Sequence, residues 1–239
     1  MKLPNQQHPS SIATALCILA VSLTTTPLAL AGGSDMRDGW NRPVVSVAGK
    51  IVFQSNRNGG LSEIWTVRNG ELDILVSSAV TASSIPKELS EPYRGMLGEA
   101  YGELAEPRWS PDGKKILCAG KGELMIFDEI GELKERIKPA KYPHLARWSS
   151  DGEHIYFTAL DGAPNGAGAY NIYRLDISSH AISPVTTLEP LPGRRRIISL
   201  DVSKSGDQIA FTMVGEKKHG ISIWTVNGDG TGLGIIIKY

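Results

Sequence analysis

The chain has 239 residues, with 25 Lys and Arg balanced by 25 Asp and Glu. A zero formal net charge removes the one-sided positive field that nucleic-acid binding needs. Hydrophobic residues make up 41% of the chain, enough for a sizeable core. The two cysteines, Cys17 and Cys118, fall in regions of such different character that no disulfide framework is expected.

The first element is a leader. Lys2 precedes an apolar run from Ile12 to Leu23, followed by Thr24-Thr25-Thr26-Pro27 and Ala29-Leu30-Ala31-Gly32. The run is shorter than the roughly 20 residues a bilayer span needs, and Ala-Leu-Ala is an A-x-A cleavage site. Residues 1–31 therefore read as a secretory signal peptide cut between Ala31 and Gly32, with an uncleaved anchor as the alternative. Leu16 stands before Cys17 where a lipoprotein needs a small residue, so lipidation is rejected. The expected address is the periplasm or the exterior, with no stable membrane insertion of the mature chain. Residues 32–43 read as a linker and 44–239 as one domain.

That domain repeats a phrase. Val45-Ser46-Val47-Ala48-Gly49 is a shortened copy, followed by Trp109-Ser110-Pro111-Asp112-Gly113, Trp148-Ser149-Ser150-Asp151-Gly152 and the degenerate Val202-Ser203-Lys204-Ser205-Gly206. An apolar triplet follows each: Ile51-Val52-Phe53, Ile116-Leu117-Cys118, Ile155-Tyr156-Phe157 and Ile209-Ala210-Phe211. In the second copy the pattern predicts strands over 106–110, 115–119, 124–128 and 133–137, a four-stranded meander. Pro presets φ for a tight turn, Asp bonds back to the backbone and Gly takes the positive φ. Third strands carry Ile then an aromatic in every copy: Ile64-Trp65, Ile126-Phe127, Ile172-Tyr173 and Ile223-Trp224. Neighbouring side chains point to opposite faces, so this pair predicts that both faces of each sheet are covered. The spacing from Trp109 to Trp148 lies near the roughly 40-residue period of a propeller blade. The fold class is thus all-β, a β-propeller of four four-stranded antiparallel blades. Cys118 shares its repeat position with three phenylalanines, so it reads as core.

Three stretches, Pro107 to Ile116, Phe53 to Gly59 and Ile223 to Thr231, resemble the TolB-type propeller repeat of bacterial envelope proteins, and the likeness runs from about Val44 to Ile237. It implies an envelope protein that binds other proteins without catalysis. Propellers of this repeat usually carry six blades or more, so four blades are either a small closed ring or one incomplete relative to a six-bladed ring.

No Gly-x-Ser-x-Gly elbow, His-Glu-x-x-His, phosphate-cradling loop or Cys-x-x-Cys pair occurs, and the reading is not an enzyme, with no cofactor and no metal. Asn227 to Gly232 has the look of a calcium loop but lacks the bidentate Glu, and its counterparts are plain turns. His154 and His180 fall at one end of the third blade, where solvated turn residues outweigh a zinc pair.

Loop length is the functional signal. Turns are tight at one end, whereas 77–104, 161–169, 187–196 and 214–220 gather at the other, and long loops on a rigid scaffold are where binding sits. Tyr93, Arg94, Arg194, Arg195 and Arg196 are the candidate partner-binding residues there. Arg108, Arg147 and Asp201, on the first strands, are the candidate channel-lining residues, and the alternative for the two arginines is that they only pair with nearby carboxylates. The expected function is an exported, non-catalytic, protein-binding propeller. The alternatives are an enzyme or carbohydrate-processing propeller with a channel site, and a partial propeller completed by self-association as a homodimer.

Overall fold

Sixteen strands form four sheets in the computed structural model, which describes residues 40–55, 63–77, 105–120, 122–161, 168–189, 196–206, 208–215 and 220–238. All belong to one unit, Arg37–Tyr239. Among these residues no helix is long and apolar enough to cross a membrane.

Blade 1 holds β1 (Trp40–Val45), β2 (Ile51–Ser55), β3 (Glu63–Arg68) and β4 (Glu71–Val76). Blade 2 holds β5 (Ala105–Trp109), β6 (Lys115–Gly120), β7 (Glu123–Asp128) and β8 (Leu133–Ile137). Blade 3 holds β9 (His144–Trp148), β10 (His154–Asp161), β11 (Ala169–Asp176) and β12 (Ile182–Pro184), and blade 4 holds β13 (Arg196–Val202), β14 (Gln208–Val214), β15 (Ile221–Asn227) and β16 (Gly234–Lys238). Every sheet is an antiparallel meander of four consecutive strands. Among the described residues no strand from one end of the chain joins the sheet at the other, and no ladder of hydrogen bonds links blade 4 to blade 1. The fold is the expected four-bladed β-propeller.

The repeat phrase folds through its serine as much as through Pro-Asp-Gly. Ser110 Oγ accepts from the Lys115 N–H at 2.9 Å and donates to Asp112 Oδ1 at 2.6 Å, while Asp112 Oδ1 accepts from Lys114 N. Ser46, Ser149 and Ser203 accept likewise from Lys50, His154 and Gln208. Ser110 is thus in the turn, and β5 begins one residue earlier than the sequence pattern places it, at Ala105.

Strand register sorts each blade into two faces. Val52, Leu117 and Tyr156 lie on the face toward the next blade, whereas Phe127, Phe157 and Phe211 lie on the face toward the preceding one. Three cores result. Val52, Ile64 and Val76 meet Trp109, Cys118 and Phe127 between blades 1 and 2. Leu117, Leu124 and Ile126 meet Trp148, Phe157 and Tyr173 between blades 2 and 3. Tyr156, Tyr170 and Ile172 meet Leu200, Phe211 and Met213 between blades 3 and 4. Cys118 is fully buried and its thiol is pushed well above the usual thiol range by burial, so it is core, as expected.

The prediction that both faces are covered holds for blades 2 and 3. In blade 4 it fails. Ile126 and Ile172 are 1% and 0% exposed, but their counterpart Ile223 is half-buried and Ala210, counterpart of Leu117, is exposed. A physical reason is plain in the packing: nothing among the described residues follows blade 4 as blades 2, 3 and 4 follow their predecessors. The turns agree. A Cβ on Gly113 would meet Val47, one on Gly152 would meet Pro111, and one on Gly206 would meet Ser150, each in the preceding blade, but one on Gly49 would meet no described atom within 4 Å.

Candidate functional site

Innermost strands β1, β5, β9 and β13 touch in succession and line the axis. Each carries a bulge or register shift near its start, and bulges re-aim side chains. At the same repeat position Glu106 and Leu145 take positive φ, 53° and 48°, a conformation costly for such residues that is held by its surroundings. Glu106 is fixed by its N–H, which donates to Gln54 Oε1 of blade 1.

Its carboxylate collects two guanidiniums. Arg147 Nη1 of blade 3 donates to Glu106 Oε2 at 3.0 Å and also to Ala146 O, and Arg108 Nη2 stands 3.7 Å from the same oxygen. Burial lowers the Arg147 pKa to about 10, against the pull of Asp201 from blade 4. Asp201 thus lies near enough to act on the charge of Arg147, and Arg108 and Arg147 meet at one carboxylate, that of Glu106. Sequence reasoning missed that carboxylate. The available signal was an acid on the first strand three residues before a repeat Trp, beside an Arg one residue before the next.

Toward the end where the blade-to-blade connections enter, Arg196 opens β13 and is exposed. It lies close enough to His144, which opens β9, to repel its proton; burial first, then Arg196, lowers the His144 pKa to about 4. Tyr93, Arg94, Arg194 and Arg195 lie outside the described residues.

A second recess, a polar cleft of about 460 Å³, opens between blades 3 and 4 at the tight-turn end, lined by Asp151, His154, Tyr156, Arg174, Asn227 and Asp229 among others. His154 stands 3.9 Å from Asp151 and 3.6 Å from Asp176. Asp151, Glu153 and His154 could face a cation together, but Asp151 is engaged in its own turn, accepting from Ser149 Oγ and Glu153 N. His180 is occupied elsewhere, its Nε2 2.5 Å from Glu135 Oε1, so the two histidines form no shared site. Asp229 accepts from both N and Oγ1 of Thr231, closing the turn that looks in sequence like a calcium loop.

No protein-family profile matches the chain, and no curated protein sequence does. Solved structures do. TolB from Acinetobacter baumannii superposes with a TM-score of 0.56 at 18% identity, over 84% of this chain and 44% of that one. A putative TolB from Agrobacterium tumefaciens gives 0.56 at 15% identity, over 83% and 65%. A prolyl endopeptidase gives 0.57 at 15% identity, over 84% and 30%. The chain spans less than two thirds of each of these proteins. Such likenesses show the propeller fold, in proteins of both TolB and peptidase kinds.

Proposed function

We propose that this chain is an exported, non-catalytic, TolB-like propeller of the bacterial envelope that binds an acidic segment of a partner protein at the long-loop end of its axis. One observation carries the reading. Among the described side chains of the first strands, Arg108, Arg147 and Arg196 stand with Glu106 and Asp201, and His144 is kept neutral at pH 7. Arg108 and Arg147 are held at Glu106, and Arg196 stands exposed at the long-loop end, where a carboxylate of the partner would meet it. The long connections at the same end, with Tyr93, Arg94, Arg194 and Arg195, would widen that surface and steer association.

Capture from envelope extract tests it, with full-length protein produced in a Gram-negative host. The exported species should have the mass of a chain beginning at Gly32. Its partner should be lost at raised salt and on Arg196→Glu combined with Arg194→Glu and Arg195→Glu. A partner retained by the triple variant but lost on changing Asp151, His180 and Asn227 would place the working face at the tight-turn end instead.

The polar cleft favours a second reading, an enzyme. Turnover of a peptide or glycoside that His154→Ala abolishes would establish it in place of the first.

A further inference from the structure

At the tight-turn end, the seam between blades 3 and 4 is built differently from the other two. In blade 2 the cross-strand pair on the face toward the next blade is Leu117 and Ile126, each 1% exposed, and in blade 1 it is Val52 and Thr66, 0% and 5% exposed. Blade 3 places Tyr156 and Arg174 there. Where the other seams are filled at this level, this one holds the polar cleft of about 460 Å³.

The rims differ as well. Lys50 of blade 1 pairs with Glu129 of blade 2, and Glu135 of blade 2 with His180 of blade 3, so an ion pair ties each of those seams. His154 is the blade 3 counterpart of Lys50, since each donates its N–H to the serine of the repeat phrase. The blade 4 counterpart of Glu129 is Gly228, which follows Asn227 as Glu129 follows Asp128 in turns of the same hydrogen bonding. A glycine carries nothing to close the rim. It is needed for room: its φ lies outside the left-handed region, but a Cβ on it would stand 2.6 Å from the Tyr156 hydroxyl and 3.1 Å from the Gly206 carbonyl oxygen.

The charges of the cleft suit a ligand that carries both signs. Arg174 is half-buried, and its side chain makes no hydrogen bond or ion pair among the described residues. On blade 4, the N–H and hydroxyl of Thr231 hold Asp229 below the usual carboxylate range, with a smaller pull from Arg174. The Ser149 hydroxyl and the Glu153 N–H lower Asp151 in the same way. Both acids are ionised at neutral pH, and each engages only Oδ1 in these turn bonds. A guanidinium in such a recess suits a carboxylate, which it grips through two parallel hydrogen bonds. Inorganic phosphate would set its whole charge against both aspartates, and a bare cation would leave Arg174 unanswered and repelled. A sugar would rest the C–H face of its ring on an aromatic side chain, and Tyr156 is only 4% exposed.

We propose that the cleft binds a small zwitterion, an amino acid or dipeptide, with its carboxylate on Arg174 and its ammonium group toward Asp229 and Asp151. The volume falls within the roughly 300 to 1,000 Å³ of small-molecule sites.

Isothermal titration of the full processed chain with L-alanyl-L-alanine tests this, beside its N-acetyl and C-amide forms, inorganic phosphate and glucose. The dipeptide should bind with a Kd in the micromolar to millimolar range, and blocking either end should weaken it by roughly tenfold or more, since a charge of the cleft is then left unpaired. Arg174→Met keeps the apolar stem and breaks no internal hydrogen bond, so it should keep the parent's melting temperature while binding falls by a similar factor. Asp229→Asn should weaken the free dipeptide and leave the N-acetyl form unchanged. Tyr156→Leu combined with Arg174→Ile gives this seam the pair of blade 2, and should stay folded and lose binding. Because the probe is a small molecule, the result is independent of whether a partner is captured at the long-loop end. A dipeptide that does not bind, blocked forms that bind equally, phosphate or glucose binding in its place, or binding that survives Arg174→Met in folded protein would each overturn the proposal.

Discussion

Trp148 Nε1 donates to the carbonyl oxygen of Arg108 at 3.2 Å, so the repeat Trp of blade 3 both fills the seam with blade 2 and bonds to its innermost strand. Trp109 fills the seam before it in the same way but buries its Nε1 with no acceptor among the described residues. Trp148→Ala and Trp109→Ala should each cost roughly 3 to 5 kcal/mol from lost packing and the cavity left. Phenylalanine should separate them: Trp148→Phe also loses a hydrogen bond of about 1 kcal/mol, and Trp109→Phe does not. Denaturant midpoints measure the difference, and an equal loss for the two phenylalanine variants would show that the bond contributes nothing.

The seams between blades give a prediction about two glycines at equivalent turns. Gly70 has φ +82° and faces no described atom within 4 Å, while Gly131 has φ +89° and a Cβ there would run into the carbonyl oxygen of Leu75 in blade 1. Either alanine carries the left-handed penalty of roughly 1 to 2 kcal/mol. Gly131→Ala must in addition push two blades apart. It should therefore lower the melting temperature clearly more than Gly70→Ala, and similar losses would mean that Gly70 too has a neighbour.

On the axis, Glu106→Gln should destabilise by roughly 3 kcal/mol, because Arg147 is left charged in a largely buried place without its carboxylate. Adding Arg147→Met should recover much of that loss, since an apolar pair of similar volume suits the site nearly as well. Additive losses in this double-mutant cycle would show that the two residues do not act as a pair.

His144 gives the pH dependence a definite sign. Its folded pKa, about 4, lies below the ordinary value near 6.5, so between these limits the unfolded chain binds more protons than the folded one. Stability should fall as pH drops through that window, by about 1 to 2 kcal/mol between pH 7 and pH 5, and hold steady above it. His144→Gln should flatten this limb. A wild-type chain whose unfolding free energy is level from pH 7 to pH 5 would mean that His144 is solvated and protonates freely.

Strand order, blade number and turn chemistry were legible in the sequence because they are local. Ser-Pro-Asp-Gly closes a turn by bonds within six residues, and an Ile beside an aromatic declares two apolar faces wherever it occurs. The same locality explains what was misread. Ile223-Trp224 carries the same pattern as Ile126-Phe127, yet Ile223 is only half-buried where Ile126 is buried, because covering a face depends on which blade comes next in space. Glu106 escaped notice for a related reason: its partners Arg108 and Arg147 belong to different blades, and only the succession of first strands around the axis brings them to one oxygen. Sequence thus determined the unit, since its hydrogen bonds span a few residues, and tertiary structure decided the seams, since these join residues about 40 or more positions apart.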